Sequence, residues 1–197
     1  MKAGAKEIIA KLQSLASPEN VAGMARFGIN PHNTLGVSVP ELRRMAKEIG
    51  KDHRLAQELW ESGIHEARLL ACFIDTQEEV TEAQMESWVK GFDSWDVCDV
   101  CCSDLFDRTA FAHRKAVGWS GREEEFVKRA GFILMAALAV NWALRNIGKR
   151  NRNLNKIAVE TAQEIRQIDS RTARWIAADA LRELQSDAVQ RRINKVK

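Results

Sequence analysis

The sequence has 197 residues, 45% of them apolar and 29% charged, with a formal net charge of +3. This composition is typical of a globular chain that buries a substantial core, and it argues against a disordered or fibrous protein. No apolar run approaches the roughly 18 residues of a membrane span, because Gly131 and Asn141 interrupt the longest uncharged run, Ala130–Leu144. The charged N-terminus lacks a signal-peptide core, so we expect a cytoplasmic protein that does not enter a membrane.

The charge is distributed unevenly along the chain. Residues 141–197 contain 13 Lys or Arg against 6 Asp or Glu, a net charge of +7. Since the whole chain has a net charge of +3, the first 140 residues have a net charge of −4. A basic C-terminal third on a mildly acidic body suggests a polyanionic partner such as nucleic acid. An arginine-rich, solvated helical surface is the alternative.

In chain order, apolar spacing and cap residues predict about a dozen helices. The predicted ranges are 6–15, 18–25, 38–49, 53–60, 64–74, 81–89, 93–106, 111–117, 123–140, 141–148, 154–168, 171–184 and 187–196. Their lengths and short polar links favour an all-α fold, a solenoid of stacked antiparallel helix pairs, with a compact helical bundle as the alternative. We expect one domain over residues 1–197 with a basic C-terminal third, 141–197.

Four cysteines are clustered in the chain: Cys72, Cys98, Cys101 and Cys102. Three of them fall within five residues of a helical pattern, which indicates reduced thiols rather than a disulfide framework. Because Cys101 and Cys102 are adjacent, they point in different directions from a helix. Small core residues therefore explain them better than a zinc site with His113 does, and we expect no metal.

The stretch Asp93–Asp99 combines acidic residues with a tryptophan at a predicted helix start. Asp93 or Ser94 can cap the first turn, and Asp96 is favoured there by the helix dipole. Trp95 and Asp99 are four residues apart and share one helix face, which suits binding of a cationic, flat or sugar-like ligand. A half-buried tryptophan beside a solvated acidic helix start is the alternative interpretation.

Basic residues alternate with tryptophan in the second half of the chain. Arginine binds phosphate through two parallel hydrogen bonds, and an indole can lie flat against a sugar or a cationic base. This pattern suits a nucleic-acid groove, although tryptophans that anchor the core beside surface arginines would look the same. The candidate residues are Arg129, Trp142, Arg145, Lys149, Arg150 and Arg152.

The chain resembles the DNA alkylation repair family, the AlkD-like DNA glycosylases built from HEAT-like repeats. The resemblance covers most of the chain, and the order and spacing of its motifs are more specific than any single motif. These motifs are Gly36–Arg44, Leu59-Trp60 with Glu66-Ala67-Arg68, Ser94–Asp99, Phe126–Ala130 and Asn141–Arg145.

The resemblance implies a HEAT-like helical-repeat fold with a basic groove for duplex DNA. It implies excision of cationic alkylated purines, such as 7-methylguanine and 3-methyladenine, without flipping of the base into a tight pocket and without a cofactor. By position, Asp99 corresponds to the catalytic carboxylate and Arg129 to the arginine beside it. Trp95 and Trp142 correspond to aromatic surfaces against the lesion's sugar and phosphate. We expect the protein to act as a monomer.

The chain departs from the family pattern at one point. Residues 126–140 run directly into Asn141-Trp142, where family members have roughly one further helix or helix pair. Either the segment is deleted, or it is missing from this sequence. Two functions outside catalysis also fit the residues: a DNA-binding module for bent or branched DNA, and a helical-repeat scaffold for another protein.

Overall fold

The computed structural model of the chain describes residues 4–169 and 171–195, and these residues form α-helices joined by short links. No strand occurs among them, which confirms the predicted all-α class. The helices are α1 (Ala5–Ser14), α2 (Pro18–Arg26), α3 (Val39–Ile49), α4 (His53–Glu61), α5 (His65–Ile74), α6 (Glu82–Lys90), α7 (Trp95–Asp104), α8 (Ala112–Ser120), α9 (Glu125–Gly148), α10 (Arg152–Gln167), α11 (Arg171–Leu184) and α12 (Asp187–Lys195), with a 3-10 turn at Phe106–Arg108.

The helix boundaries follow from local capping chemistry. The hydroxyl of Ser17 accepts the Asn20 N–H at the start of α2, and the hydroxyl of Thr81 accepts the Gln84 N–H at the start of α6. Gly50 ends α3 with φ at +77°, a backbone conformation that glycine adopts without a steric penalty. These starts and stops were predicted from the sequence and are confirmed.

The predicted break between 123–140 and 141–148 is wrong, because α9 is one helix of 24 residues. Asn141 does not cap a new helix; it is buried, and its amide donates to the Asp179 carboxylate at 3.0 Å. The inference that no segment is long enough to span a membrane is also corrected. By length and composition α9 passes that test, with a mean hydropathy of 1.4, as the core helix of a globular protein also can.

The chain forms two compact units, one ending at Leu134 and the other beginning at Met135. In the first unit, α5 is buried along its whole length and packs against α1, α3, α4 and α7. The second half of its sequence, LLACFI, is apolar on every side, and the buried His65, Glu66 and Arg68 of the first half have polar partners. The central position of α5 fixes the first turn of α7, as described below.

Close helix contacts in both units depend on glycine. In the first unit, α9 crosses α8 at Gly131, where an added Cβ would lie 2.8 Å from the Ser120 Cα. In the second unit, α10 packs on α11 through a small core of Ala158, Ala162, Ala180, Leu181 and Leu184. A Cβ at Gly148 would lie 2.8 Å from the Ala158 Cβ, so this position also requires glycine. Larger residues at either glycine would push backbone elements apart.

Candidate functional site

Trp95, Asp99 and Arg129 lie together in the first unit, as the sequence predicted for a site on α7. The Arg129 Nε and Nη2 donate to the two oxygens of Asp99, each at 2.7 Å. The Arg129 guanidinium carbon lies 6.0 Å from the centroid of the Trp95 ring. The three side chains therefore form one cluster with a carboxylate, a fixed cation and an aromatic face.

The geometry of the Asp99–Arg129 pair sets the direction of the carboxylate. Two parallel hydrogen bonds hold it in one plane, and the hydrogen bond to Asp99 raises the pKa of Arg129 above its ordinary value. An ionised carboxylate has about four lone-pair positions, so the pair leaves acceptor capacity on both oxygens. The Asp99 side chain is 30% exposed. It is therefore held firmly and remains accessible to a ligand.

The first turn of α7 is held by hydrogen bonds from the loop after α2, which lies more than sixty residues earlier in the sequence. The Trp95 Nε1 donates to the carbonyl of Phe27 at 2.9 Å. The Asn30 N–H donates to the Ser94 hydroxyl at 3.0 Å, and the Asn30 amide donates to Asp93 at 3.0 Å. Ser94 occupies the predicted N-cap position, but its hydroxyl does not cap the helix because it is buried against this loop.

Two buried residues of α5 also contact the first turn of α7. The Arg68 guanidinium donates to Asp93 at 2.6 Å and to the Gly91 carbonyl at 2.9 Å. The buried His65 ring contacts the Asp96 carboxylate at 2.9 Å. Burial opposes ionisation of Asp96, but the contact with His65 and the Val97 N–H outweigh it and lower the pKa of Asp96. We call Phe27, Asn30, His65 and Arg68 the α7 clamp.

Glu66, the neighbour of His65, anchors the loop that carries part of the α7 clamp. Its fully buried carboxylate accepts the backbone N–H groups of Leu35 at 2.8 Å, Gly36 at 2.6 Å and Val37 at 3.3 Å. Gly36 has φ at +80°, and a Cβ there would lie 3.0 Å from Asn20. The loop is thus fixed at its far end as well as against α7, which limits movement of the Trp95 indole.

The remaining predicted DNA-binding residues belong to the second unit. Arg145 donates to Asp179 at 2.9 Å and also pairs with Glu183. Lys149 contacts Glu183 at 2.7 Å, and this contact lowers the pKa of the glutamate. Because carboxylates of α11 already neutralise Arg145 and Lys149, these two side chains offer less positive charge to a polyanion than the sequence suggested.

Trp142, Arg150 and Arg152 differ from the two paired residues. The Trp142 side chain is 68% exposed, and Arg150 is exposed at the turn between α9 and α10. Arg152 donates to the side-chain amide oxygen of Asn194 at 2.8 Å, a neutral partner that does not cancel its charge. A role for any of these residues in DNA binding stays a prediction.

The four cysteines are buried free thiols in the first unit. Burial, together with their mutual proximity, raises the pKa of Cys101 and Cys102 well above the ordinary value. This is the environment of core residues rather than of reactive thiols. Among the residues the structure describes, no group of His, Cys, Asp or Glu has a geometry that could hold a metal ion.

Comparison with known proteins identifies the family. The family model described as "DNA alkylation repair enzyme" matches residues 8–139, about two thirds of the chain. This chain belongs to the DNA alkylation repair enzyme family. The match includes Trp95, Asp99 and Arg129, and it ends two residues before Asn141. No curated protein sequence gives a significant match.

A solved structure supports the fold of this family member. It represents a new family of proteins related to the HEAT-like repeat DNA glycosylases, with affinity for branched DNA structures. The two chains are 19% identical and superpose with a TM-score of 0.63 over 92% of this chain and 76% of the other. The predicted HEAT-like helical-repeat fold is therefore confirmed.

The α7 clamp was not predicted from the sequence. In the sequence, the Asn30-Pro31 dipeptide indicates only a turn, and His65 is one of four scattered histidines without the spacing of metal ligands. No local pattern links either residue to α7. The only available signal was indirect: an acidic helix start that includes a tryptophan needs partners for its polar groups once it is buried.

Proposed function

We propose that the protein is a monofunctional DNA glycosylase that excises cationic alkylated purines, of the 7-methylguanine and 3-methyladenine type, from duplex DNA. Membership of the DNA alkylation repair enzyme family supports this class of reaction. The observation that carries the proposal is the cluster in which Arg129 holds Asp99 beside the Trp95 ring.

Hydrolysis of the glycosidic bond of a cationic purine needs a carboxylate and a water molecule, and this cluster provides the carboxylate. In a cationic purine nucleotide, the bond between C1′ and the base nitrogen breaks, and its electron pair neutralises the departing base. Positive charge develops on the sugar, as in glycoside hydrolysis, and the Asp99 carboxylate stabilises that charge. Water then adds to C1′ and loses a proton, which yields an abasic site and a free purine.

Trp95 and Arg129 have separate roles in this mechanism. The electron-rich face of the Trp95 indole attracts the cationic sugar or base, an interaction worth about 0.5–2 kcal/mol depending on desolvation. Arg129 keeps the Asp99 carboxylate in one orientation, so that little reorganisation is needed when charge develops. The α7 clamp keeps the Trp95 ring in a fixed position beside Asp99 and Arg129.

The direct test uses duplex DNA pretreated with a methylating agent. The purified protein is incubated with this DNA, and the soluble fraction is separated by chromatography for free purines. We expect release of 7-methylguanine and 3-methyladenine above the spontaneous rate measured with heat-denatured protein. Release at the spontaneous rate from DNA that the protein binds would contradict the proposed activity.

A second candidate function is binding of branched DNA without catalysis. It is favoured by the fold shared with a protein of the family that has affinity for branched DNA structures. This function predicts salt-sensitive binding to DNA junctions without release of purines. The two functions share a DNA-binding surface, and the chromatographic assay distinguishes between them.

A further inference from the structure

An apolar cleft lies next to the candidate site in the first unit. It has a volume of about 890 Å³ and lies between α2, the loop at 36–38 with the first residue of α3, and the start of α7. Its walls are mainly apolar, and Trp95 belongs to them. The residues that shape it are Gly23, Met24, Phe27, Val37, Val39 and Trp95. We refer to it as the α2 cleft.

Large apolar side chains are exposed around the α2 cleft. Phe27 is 77% exposed, Val39 is 40% exposed and Trp95 is 38% exposed. A single exposed apolar residue needs no explanation, but three around one concavity mark a binding surface. The Trp95 Nε1 donates to the backbone carbonyl of Phe27, so this hydrogen bond fixes the indole relative to the backbone that carries the Phe27 ring.

The charges at the cleft are compatible with a nucleotide. Arg26 lines the cleft next to Phe27 and provides a positive charge for a phosphate. Asp96 also lines it, but one of its oxygens accepts the Val97 N–H and the other contacts His65. Its negative charge is therefore largely compensated, and Glu19 is the other acidic residue of the lining.

We propose that the α2 cleft receives an unpaired nucleobase from bulged or branched DNA. Trp95 belongs both to the cleft and to the cluster with Asp99 and Arg129, so a strand bound at the candidate site passes the cleft opening. Exposed aromatic rings bind unpaired bases by stacking, and every base offers a face for this contact. A paired base within a duplex is already stacked and gains nothing from the cleft. This proposal rests on the DNA binding proposed above.

Two substitutions change the cleft without disturbing the fold. Gly23 lies inside α2, and a Cβ there would meet no atom within 4 Å, so Gly23→Leu fills the cleft while adding a residue of higher helix propensity. Phe27→Ala removes the exposed ring and leaves the backbone carbonyl that holds Trp95. Gly118→Leu is the matched control, because Gly118 is an exposed glycine inside α8 that also has open space at its Cβ and does not line the cleft.

The experiment measures a ratio of affinities for two fluorescent duplexes that differ by one unpaired adenine. We expect the wild type and Gly118→Leu to bind the bulged duplex roughly 5- to 100-fold more tightly than the perfect duplex. In Gly23→Leu and Phe27→Ala the ratio falls towards one. With 2-aminopurine at the unpaired position, fluorescence is quenched by the wild type and much less by Phe27→Ala.

The outcomes separate this proposal from the proposed function. If Gly23→Leu keeps the wild-type ratio, or if the wild type shows a ratio near one while it still binds DNA and releases purines, the cleft does not take a base. In that case another occupant, such as an apolar peptide, accounts for it. If the wild type binds neither DNA, the proposed function and this proposal fail together.

Discussion

At the scale of single residues, the carboxylates of the first unit differ in how closely a partner compensates their charge. Asp99 has Arg129, Asp96 has His65 and Glu66 has three backbone N–H groups. Asp107 is buried in the 3-10 turn, and its nearest cation, the Arg108 Nε, is 3.6 Å away. Burial raises the pKa of Asp107 to about 7, with Asp104 adding to the rise and Arg108 opposing it.

This raised pKa predicts a pH dependence of stability. The folded state binds a proton at Asp107 more tightly than the unfolded state does, so the free energy of unfolding falls as pH rises from about 4 to about 7. A shift of this size corresponds to a loss on the order of 3–4 kcal/mol. We expect Asp107→Asn to flatten this fall in urea titrations at pH 5, 6, 7 and 8. The exposed Glu123→Gln serves as control, and an unchanged slope in Asp107→Asn would contradict the assignment.

At the scale of helices, caps and glycines made most boundaries predictable from the sequence. Ser17, Thr81 and Gly50 act through neighbouring residues only, so their effect can be seen in a short stretch of sequence. The continuity of α9 could not be seen in this way. Asn141 can begin a helix or lie inside one, and its buried contact with Asp179, which comes from 38 residues away, decides the outcome.

The contact between α8 and α9 gives a prediction about both stability and function. Gly131→Ala would place a Cβ 2.8 Å from the Ser120 Cα, and backbone cannot move aside as a side chain end can. We expect a loss of about 1–3 kcal/mol in the free energy of unfolding, and slower purine release because Arg129 is two residues away. Gly118→Ala on α8 is the control and should gain about 0.5–1 kcal/mol. Equal stability of the two variants in chemical denaturation would show that the helices can separate freely.

At the scale of the whole molecule, the sequence indicated the fold and part of the site. The lengths of the helices and their short links predicted the architecture, and the i, i+4 spacing placed Trp95 and Asp99 on one face of α7. The partners that fix them could not be predicted, because Asn30 and Phe27 reach α7 from more than sixty residues away. Net charge was also an incomplete guide, since the count for residues 141–197 ignores the ion pairs within the second unit.

These ion pairs predict how DNA binding depends on salt. Each phosphate contact that is lost lowers the slope of log affinity against log salt concentration by about 0.9. We expect the double substitution of Arg150 and Arg152 by Ala to remove roughly one or two phosphate contacts and to reduce the magnitude of the slope accordingly. The same change at Arg145 and Lys149 should lower it less, because carboxylates of α11 already hold these residues. Fluorescence anisotropy at several salt concentrations measures both slopes, and the reverse order would contradict this interpretation.

The central claim is that the negative charge of Asp99 stabilises the positive charge that develops on the sugar as the glycosidic bond breaks. Asp104 on the same helix offers a matched comparison. Asp104 is buried and forms a two-bond pair with Arg43, at 3.3 and 3.0 Å, that resembles the Asp99–Arg129 pair. The decisive measurement is the single-turnover rate of 7-methylguanine release by Asp99→Asn and Asp104→Asn, with DNA affinity measured in parallel. We predict that Asp99→Asn binds DNA within about threefold of the wild type and releases the base at least ~100-fold more slowly, while Asp104→Asn releases it at close to the wild-type rate. Release by Asp99→Asn at the wild-type rate would contradict the mechanism.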